Sequence, residues 1–128
     1  MQQLLAVGLG GCVGALSRYW LSRFVDARLA PQGDFPWGIL VVNALGCLLI
    51  GLLLGWTDAR KDSLPDTARL FLATGLLGSL TTFSTFGHDT IRLVQQGHIL
   101  TAAGNIGANV VLGLAAVTIG LLAIRAVS

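Results

Sequence analysis

The side chains best suited to chemistry in this sequence lie close together, in the stretch 75–86, which reads GLLGSLTTFSTF. Two glycines loosen the backbone there, and four hydroxyl groups and two phenyl rings then follow within six residues. Hydrocarbon does not tolerate exposed polar groups, so in an apolar span these side chains must face protein or a water-filled path. An interrupted helix at membrane depth often marks the place where an ion or a substrate binds.

Three asparagines add amide groups to this polar set. Asn43 lies in the second apolar segment, and Asn105 and Asn109 lie four residues apart in the fourth, on one helix face. Each could bond one helix to another, or could join the hydroxyls in lining a pathway. Neutral donors suit a small, hard anion that must exchange water for hydrogen bonds. No Asp, Glu or Lys lies deep in an apolar segment, so a proton-coupled transporter is not favoured.

The remaining candidates each have two interpretations from the residues alone. Phe83 and Phe86 could turn ring edges to an anion or ring faces to a cation, or could simply pack. The backbone carbonyls around residues 75–81 could bond to a neighbouring helix or could hold a cation such as sodium. Arg18 could extend to the membrane interface or could attract anions into an aqueous vestibule.

The elements that must position these groups are apolar segments of membrane-spanning length. The chain has 128 residues, of which 54% are hydrophobic and only 11% are charged, so we expect one all-α membrane domain over 1–128. Each apolar run reaches the roughly 20 residues that a helix needs to cross hydrocarbon. The predicted transmembrane helices are Leu4–Phe24, Trp37–Thr57, Thr67–Val94, with the third broken, and Ile99–Val127.

Composition also makes several function classes improbable. A net charge of +2, with no basic patch interleaved with aromatics, does not favour nucleic-acid binding. Cys12 and Cys47 both lie in apolar segments without the spacing of a zinc site. No nucleophile–base arrangement is present, so we do not expect an enzyme.

The distribution of basic residues and the spacing of small residues both indicate how the chain could orient in the membrane and form a dimer. Four crossings place four basic residues on each side of the membrane, so the positive-inside rule does not predict an orientation. Either the first span fixes the orientation, or the chain inserts both ways and pairs antiparallel. Close helix packing is suggested by small residues four apart, and a dimer is the simplest way to enclose a pathway. These pairs are Gly10 with Gly14, Gly51 with Gly55, and Gly104 with Ala108.

Three stretches resemble the CrcB/Fluc family of fluoride channels, in the right order along nearly the whole chain. They are GGCVGALSRY at 10–19, FPWG leading to VNALG at 35–46, and GLLGSLTTFSTF at 75–86. The resemblance implies an antiparallel, dual-topology homodimer with two narrow fluoride pores and a sodium ion at its centre. Backbone carbonyls of Gly78 and Thr81 would hold the sodium. The implied fluoride pathway comprises Asn43, Phe83, Ser84, Thr85, Phe86, Asn109 and Arg18.

The chain departs from the family's usual pattern at several positions. Ile39 stands where Thr is frequent, Asp89 where Glu is frequent, and Asn105 and Asn109 where Tyr and Ser are common. These departures place different donors along the polar track of the fourth helix. The resemblance as a whole implies passive, selective export of cytoplasmic fluoride across a bacterial inner membrane. The alternatives are a small dual-topology multidrug or cation transporter, which should need a carboxylate within a span, and a non-transporting membrane assembly protein.

Overall fold

The computed structural model describes residues 1–30, 33–60 and 64–127, and within these ranges all regular structure is helical. Among the described residues, four helical segments are long and apolar enough to cross a membrane: Gln2–Leu29, Trp37–Ala59, Asp66–Gln95 and Ile99–Arg125. The prediction of an all-helical chain with four membrane-length segments is therefore confirmed.

In chain order the elements are α1 (Gln2–Leu29), α2 (Trp37–Ala59), α3 (Asp66–Arg69), a π-helical segment (Leu70–Leu77), α4 (Gly78–Leu80), α5 (Phe83–Gln95) and α6 (Ile99–Arg125). The third predicted crossing thus contains four consecutive elements. A π-helix is rare, and short π-helical turns occur often at functional sites because they displace backbone groups from the usual ladder.

Several helix ends differ from the predicted bounds. The first helix was expected to end at Phe24, but α1 continues to Leu29 and includes Arg28, whose guanidinium lies 4.8 Å from the Phe24 ring centroid. Charged residues limit how much of a helix hydrocarbon can hold, but they do not stop the helix itself. At the other terminus α6 ends at Arg125, two residues before the expected Val127.

Two local features set the connections between helices. Asp26 Oδ1 accepts a hydrogen bond from the Gly38 backbone N–H at 2.7 Å, so the end of α1 caps the start of α2. Gly97 adopts a φ of 82°, and His98 N–H donates to the Leu93 carbonyl at 2.9 Å. This left-handed glycine ends α5 and lets α6 turn back against it.

Glycines bring helix backbones together in two places. Gly10 and Gly14 of α1 lie against the π-helical segment, where a Cβ on Gly14 would collide with the Leu76 carbonyl. On α2, a Cβ on Gly51 would collide with the Val117 carbonyl of α6. The α2–α6 and α1–π-segment pairs form the most extensive packing among the described residues. In contrast, Gly104 has open space around it, so this predicted small position faces no described neighbour.

Helical structure stops for two residues in the third crossing. After α4 ends at Leu80, Thr81 has φ −77° and ψ 151°, and Thr82 has φ −150° and ψ 118°. Both are extended conformations, and α5 begins only at Phe83. The Thr82 hydroxyl accepts the Thr85 backbone N–H at 3.3 Å, which caps the new helix. The interruption therefore has a local cause in the sequence, since threonine is well suited to an N-cap.

Candidate functional site

Most of the predicted site residues line one cavity beside this interruption. The cavity has a volume of about 380 Å³ and lies between α2, α6 and the third crossing. Its lining includes six predicted residues: Asn43, Gly78, Thr81, Phe83, Phe86 and Asn109. Residues from three parts of the sequence thus meet at the place where the backbone is extended.

Asn43 of α2 bonds directly to the interrupted backbone. Its Oδ1 accepts the Thr82 backbone N–H at 2.9 Å, and its Nδ2 lies 3.4 Å from the Thr82 carbonyl. The Asn43 amide therefore substitutes for a helical partner that the extended Thr82 lacks. One asparagine both stabilises the interruption and places a side-chain amide on the cavity wall.

A hydroxyl cluster surrounds Thr82, whose side chain is buried. Thr82 Oγ1 lies 3.1 Å from Ser84 Oγ and 3.2 Å from Thr85 Oγ1. The Thr82 oxygen also accepts the Thr85 N–H, and the single Thr82 hydroxyl hydrogen can point to only one of the two neighbouring hydroxyls. Ser84 is exposed and Thr85 is half-buried, and neither is among the residues that line the cavity itself.

Amide groups of α6 continue the polar surface away from the interruption. Asn43 Nδ2 donates to Asn109 Oδ1 at 3.0 Å, and Asn109 Nδ2 donates to Asn105 Oδ1 at 2.9 Å. Asn105 is fully buried, and its Nδ2 donates to Thr90 Oγ1 at 2.9 Å. The side-chain network therefore ties α2, α5 and α6 to one another.

The carbonyls of Gly78 and Thr81 have lost their usual helical donors. In an α-helix these oxygens would accept the N–H groups of Thr82 and Thr85. The Thr82 N–H instead bonds to Asn43 Oδ1, and the Thr85 N–H bonds to Thr82 Oγ1. A carbonyl left without its partner in an apolar setting needs another positive group, so both oxygens are suitable ligands for a hard cation.

The two phenylalanines form a pair, with ring centroids 5.4 Å apart and planes inclined by 55°. Phe83 is 83% exposed, whereas Phe86 is half-buried against the cavity. Arg18 lies in the middle of α1, half-buried and outside the cavity lining. Its part in a pathway stays a prediction.

The predicted pathway set does not include Thr82, Thr90, Asn105 or Gly46. Thr82 and Asn105 were among the candidate polar donors, and Asn105 lies four residues from Asn109 on the same helix face. The sequence carried no signal for Thr90 or Gly46. Gly46 faces Thr81 so closely that a Cβ would collide with the Thr81 methyl group. Thr90 reaches Asn105 only because α5 and α6 fold back against each other.

Residues 5–121 match the model of a family described as "CrcB-like protein, Camphor Resistance (CrcB)". A relative from Citrifermentans bemidjiense, named "Fluoride-specific ion channel FluC", is 41% identical over 126 residues, covering 98% of this chain and 99% of the relative. Relatives with the same name occur in Chloroflexus aurantiacus (43% identical, 94% of both chains) and Acidobacterium capsulatum (42% identical, 92% of both chains).

These matches run across all four membrane-length helices and the interrupted stretch between Leu80 and Phe83. They confirm the resemblance drawn from the three sequence stretches, and with the four apolar helices they describe a multi-pass bacterial membrane protein. The chain belongs to the CrcB-like family of membrane proteins.

Proposed function

We propose that this protein is a fluoride-specific ion channel that exports cytoplasmic fluoride passively across the bacterial inner membrane. The observation that carries the proposal is the meeting of Asn43, the interrupted backbone at 81–82 and the Phe83–Phe86 pair at one cavity. Relatives of 40% identity or more that carry the name "Fluoride-specific ion channel FluC" favour this function over the alternatives.

A fluoride route needs donors that replace the water around a small anion. Along the proposed path, the hydroxyls of Ser84 and Thr85 supply them where the backbone changes direction. Asn43 adds the amide hydrogen that makes only a long, 3.4 Å contact with the Thr82 carbonyl, since the other hydrogen bonds to Asn109. Larger anions gain less from such closely spaced donors. Export needs no energy input, because neutral hydrofluoric acid enters, dissociates inside, and the anion then leaves down the membrane potential.

The phenylalanine pair would complete the route. A phenyl ring carries a positive edge and a negative face, so edges turned toward the anion attract it without forming a strong bond. Phe86 lies in the cavity wall and Phe83 projects outward, so the pair offers two successive contacts rather than one closed site. Weak, successive contacts favour conduction, since a tightly held ion would not leave.

A sodium ion would fit the carbonyls of Gly78 and Thr81, because both have lost their helical donors. When bound, the ion supplies a fixed positive charge beside the anion route. The chain's own contribution is to hold the two oxygens in place, through Thr82 N–H on Asn43 and Thr85 N–H on the Thr82 hydroxyl. Two carbonyls do not complete a sodium shell, and a second copy of the chain would supply two more.

We propose that the functional unit is an antiparallel homodimer with dual topology and a broken third helix. Support comes from the open side of the cavity, where Phe83 is 83% exposed, and from four basic residues on each side of the membrane. A tag at the N terminus tests the topology. We expect added protease to remove the tag from about half of the chains, both in right-side-out and in inside-out vesicles. Removal from all chains in one of these preparations would contradict dual topology.

Arg18 is proposed to act outside the narrow part of the route, since it lies on α1 and away from the cavity. A cation at the entrance raises the local concentration of anions and so acts on entry rather than on selection. Replacing Arg18 with Gln should therefore lower fluoride flux at low ionic strength more than at high ionic strength.

Fluoride efflux from proteoliposomes tests the function directly. Vesicles loaded with potassium fluoride and made permeable to potassium should release fluoride rapidly when they hold this protein. Parallel vesicles loaded with potassium chloride are the selectivity control and should release little chloride. Fluoride release no faster than from empty vesicles would refute the channel, and equal release of both anions would refute its specificity.

A further inference from the structure

One continuous chain of hydrogen bonds joins the interruption at Thr82 to the Phe86 carbonyl four residues later. It passes through the side chains of Asn43, Asn109, Asn105 and Thr90. We call this series of hydrogen bonds the amide chain. Both ends of the amide chain are backbone groups. A backbone N–H can only donate and a backbone carbonyl can only accept, so the ends fix the direction of every bond between them.

The first end sets the orientation of Asn43. The Thr82 N–H donates, so the amide must present Oδ1 to it, at 2.9 Å. The Asn43 Nδ2 then faces Asn109 and donates to its Oδ1 at 3.0 Å. A reversed Asn43 amide would set two donors against each other at Thr82.

The second end sets the orientation of Asn105. The Thr90 hydroxyl donates to the Phe86 carbonyl at 2.8 Å, so its oxygen accepts from Asn105 Nδ2 at 2.9 Å. Asn105 therefore presents Oδ1 to Asn109, whose Nδ2 donates to it at 2.9 Å. Amide oxygen and nitrogen are ordinarily distinguished only by their partners, and here two independent backbone anchors give the same answer.

Asn109 connects Asn43 to Asn105. Its Nδ2 donates to the Asn105 carbonyl at 3.1 Å as well as to Asn105 Oδ1, which uses both hydrogens of the amide. Asn109 thus turns an oxygen, not a donor, toward Asn43. That oxygen favours the Asn43 orientation in which Nδ2 lies on the cavity side of α6 and Oδ1 lies on Thr82.

We propose that Asn105, fixed by Thr90, is a positioning residue that orients Asn43 through Asn109 for anion passage. This inference rests on the proposed function, in which Asn43 lies on the fluoride route. Asn105 is fully buried and is not part of the cavity lining, so it acts on the ion only through other side chains. Without the Asn105 side chain, the Asn109 amide keeps only its 3.1 Å bond to the Asn105 backbone carbonyl, so its oxygen is held less firmly against Asn43 Nδ2.

Side-chain amide NMR tests the orientation without relying on transport. Thr90→Val removes the hydroxyl with little change of shape, and Thr90→Ser keeps it. We expect Thr90→Val and Asn105→Leu to shift the side-chain amide resonances of Asn43 and Asn109, and Thr90→Ser to leave them near their wild-type positions. Asn43 resonances that stay unchanged in folded Thr90→Val protein would overturn the inference.

Thr118→Val is the matched control. The Thr118 hydroxyl also bonds to a carbonyl four residues earlier, Leu114 O at 2.9 Å, but it lies on the exposed side of α6. Thr118→Val loses the same kind of side-chain bond as Thr90→Val and should leave the side-chain amide resonances of Asn43 and Asn109 unshifted. If Asn105→Leu does not fold, the Thr90 pair alone decides the question.

Fluoride efflux then links orientation to passage. Loss of one hydrogen bond in the amide chain should slow efflux by about fivefold in Thr90→Val, with recovery in Thr90→Ser. Wild-type protein that passes no fluoride would refute the proposed function, while the NMR result would still decide whether Asn105 orients Asn43. Rapid wild-type efflux with an unchanged rate in Thr90→Val would overturn the inference alone.

Discussion

The two halves of the third crossing are held in contrasting ways. The π-helical segment Leu70–Leu77 is apolar and meets α1 through backbone contacts at Gly10 and Gly14. Beyond the interruption, α5 is held to α2 and α6 by hydroxyl and amide bonds of single side chains. The first half therefore sets position through close packing, and the second presents polar groups whose orientation can be specified bond by bond.

Among the described residues, those that line the cavity are all uncharged. Close backbone packing positions the first half, and the polar half arranges neutral donors around the extended residues Thr81 and Thr82. Substitutions in the two halves should accordingly have different effects: loss of folded protein in the first, and loss of flux from folded protein in the second.

The largest effect should follow a substitution in the packed half. Gly14→Ala places a methyl group on the Leu76 carbonyl, which lies in a backbone that cannot move aside. Overpacking of this kind costs about 3 kcal/mol, so we expect a sharp fall in thermal stability and in the yield of monodisperse protein. Gly104→Ala is the control, because open space surrounds Gly104. Equal melting temperatures for both variants would show that the contact is not tight.

Asn43→Ala should have the next largest effect, and it should act on flux. The substitution leaves the buried Thr82 N–H without its partner and removes an amide from the cavity wall. A lost partner of this kind costs about 1–3 kcal/mol, and fluoride efflux should fall by about 100-fold. Tryptophan fluorescence during thermal unfolding should show that most of the protein remains folded. Unchanged efflux in Asn43→Ala would show that Asn43 does not lie on the fluoride route.

How far the sequence predicts this molecule depends on the kind of contact involved. Uninterrupted apolar runs predict four helices, because hydrocarbon length and backbone bonding leave few other solutions. The family resemblance predicts Asn43 and the phenylalanine pair of the polar stretch 81–86 as pathway residues, and all three line the cavity. Thr90 could not be found this way, since its contact with Asn105 depends on how α5 and α6 turn at Gly97. The end of α1 was also placed too early, because charges mark the membrane boundary rather than the helix boundary.

A smaller effect should follow a change at the boundary between the two halves. Gly46→Ala of α2 would press on the Thr81 methyl group and displace the Thr81 carbonyl. We expect fluoride efflux to fall by about tenfold, together with a higher requirement for external sodium, because moving a ligand weakens ion binding. Gly107→Ala is the matched control in a helix position with open space. Equal dependence of efflux on sodium in both variants would show that the Thr81 carbonyl is not a sodium ligand.

Phe83→Ile should have the smallest effect and should leave stability unchanged. Phe83 is 83% exposed, so its replacement removes little packing within one chain. Ile keeps the apolar bulk but has no ring edge, and the loss of about 1 kcal/mol of quadrupole attraction should slow fluoride efflux about fivefold. Phe83→Tyr, which keeps the ring, should retain most of the flux. Equal rates for Ile and Tyr at this position would show that the ring edge makes no contribution.

We propose that the interruption at residues 81–82 forms the wall of an anion route. Fluoride efflux from sealed vesicles that hold wild-type protein, Thr82→Val or no protein measures this most directly. The claim predicts rapid efflux for wild type and a rate about tenfold lower for Thr82→Val, which keeps its shape but loses the hydroxyl at the centre of the cluster. Equal rates for wild type and Thr82→Val, or wild-type efflux no faster than from empty vesicles, would contradict it.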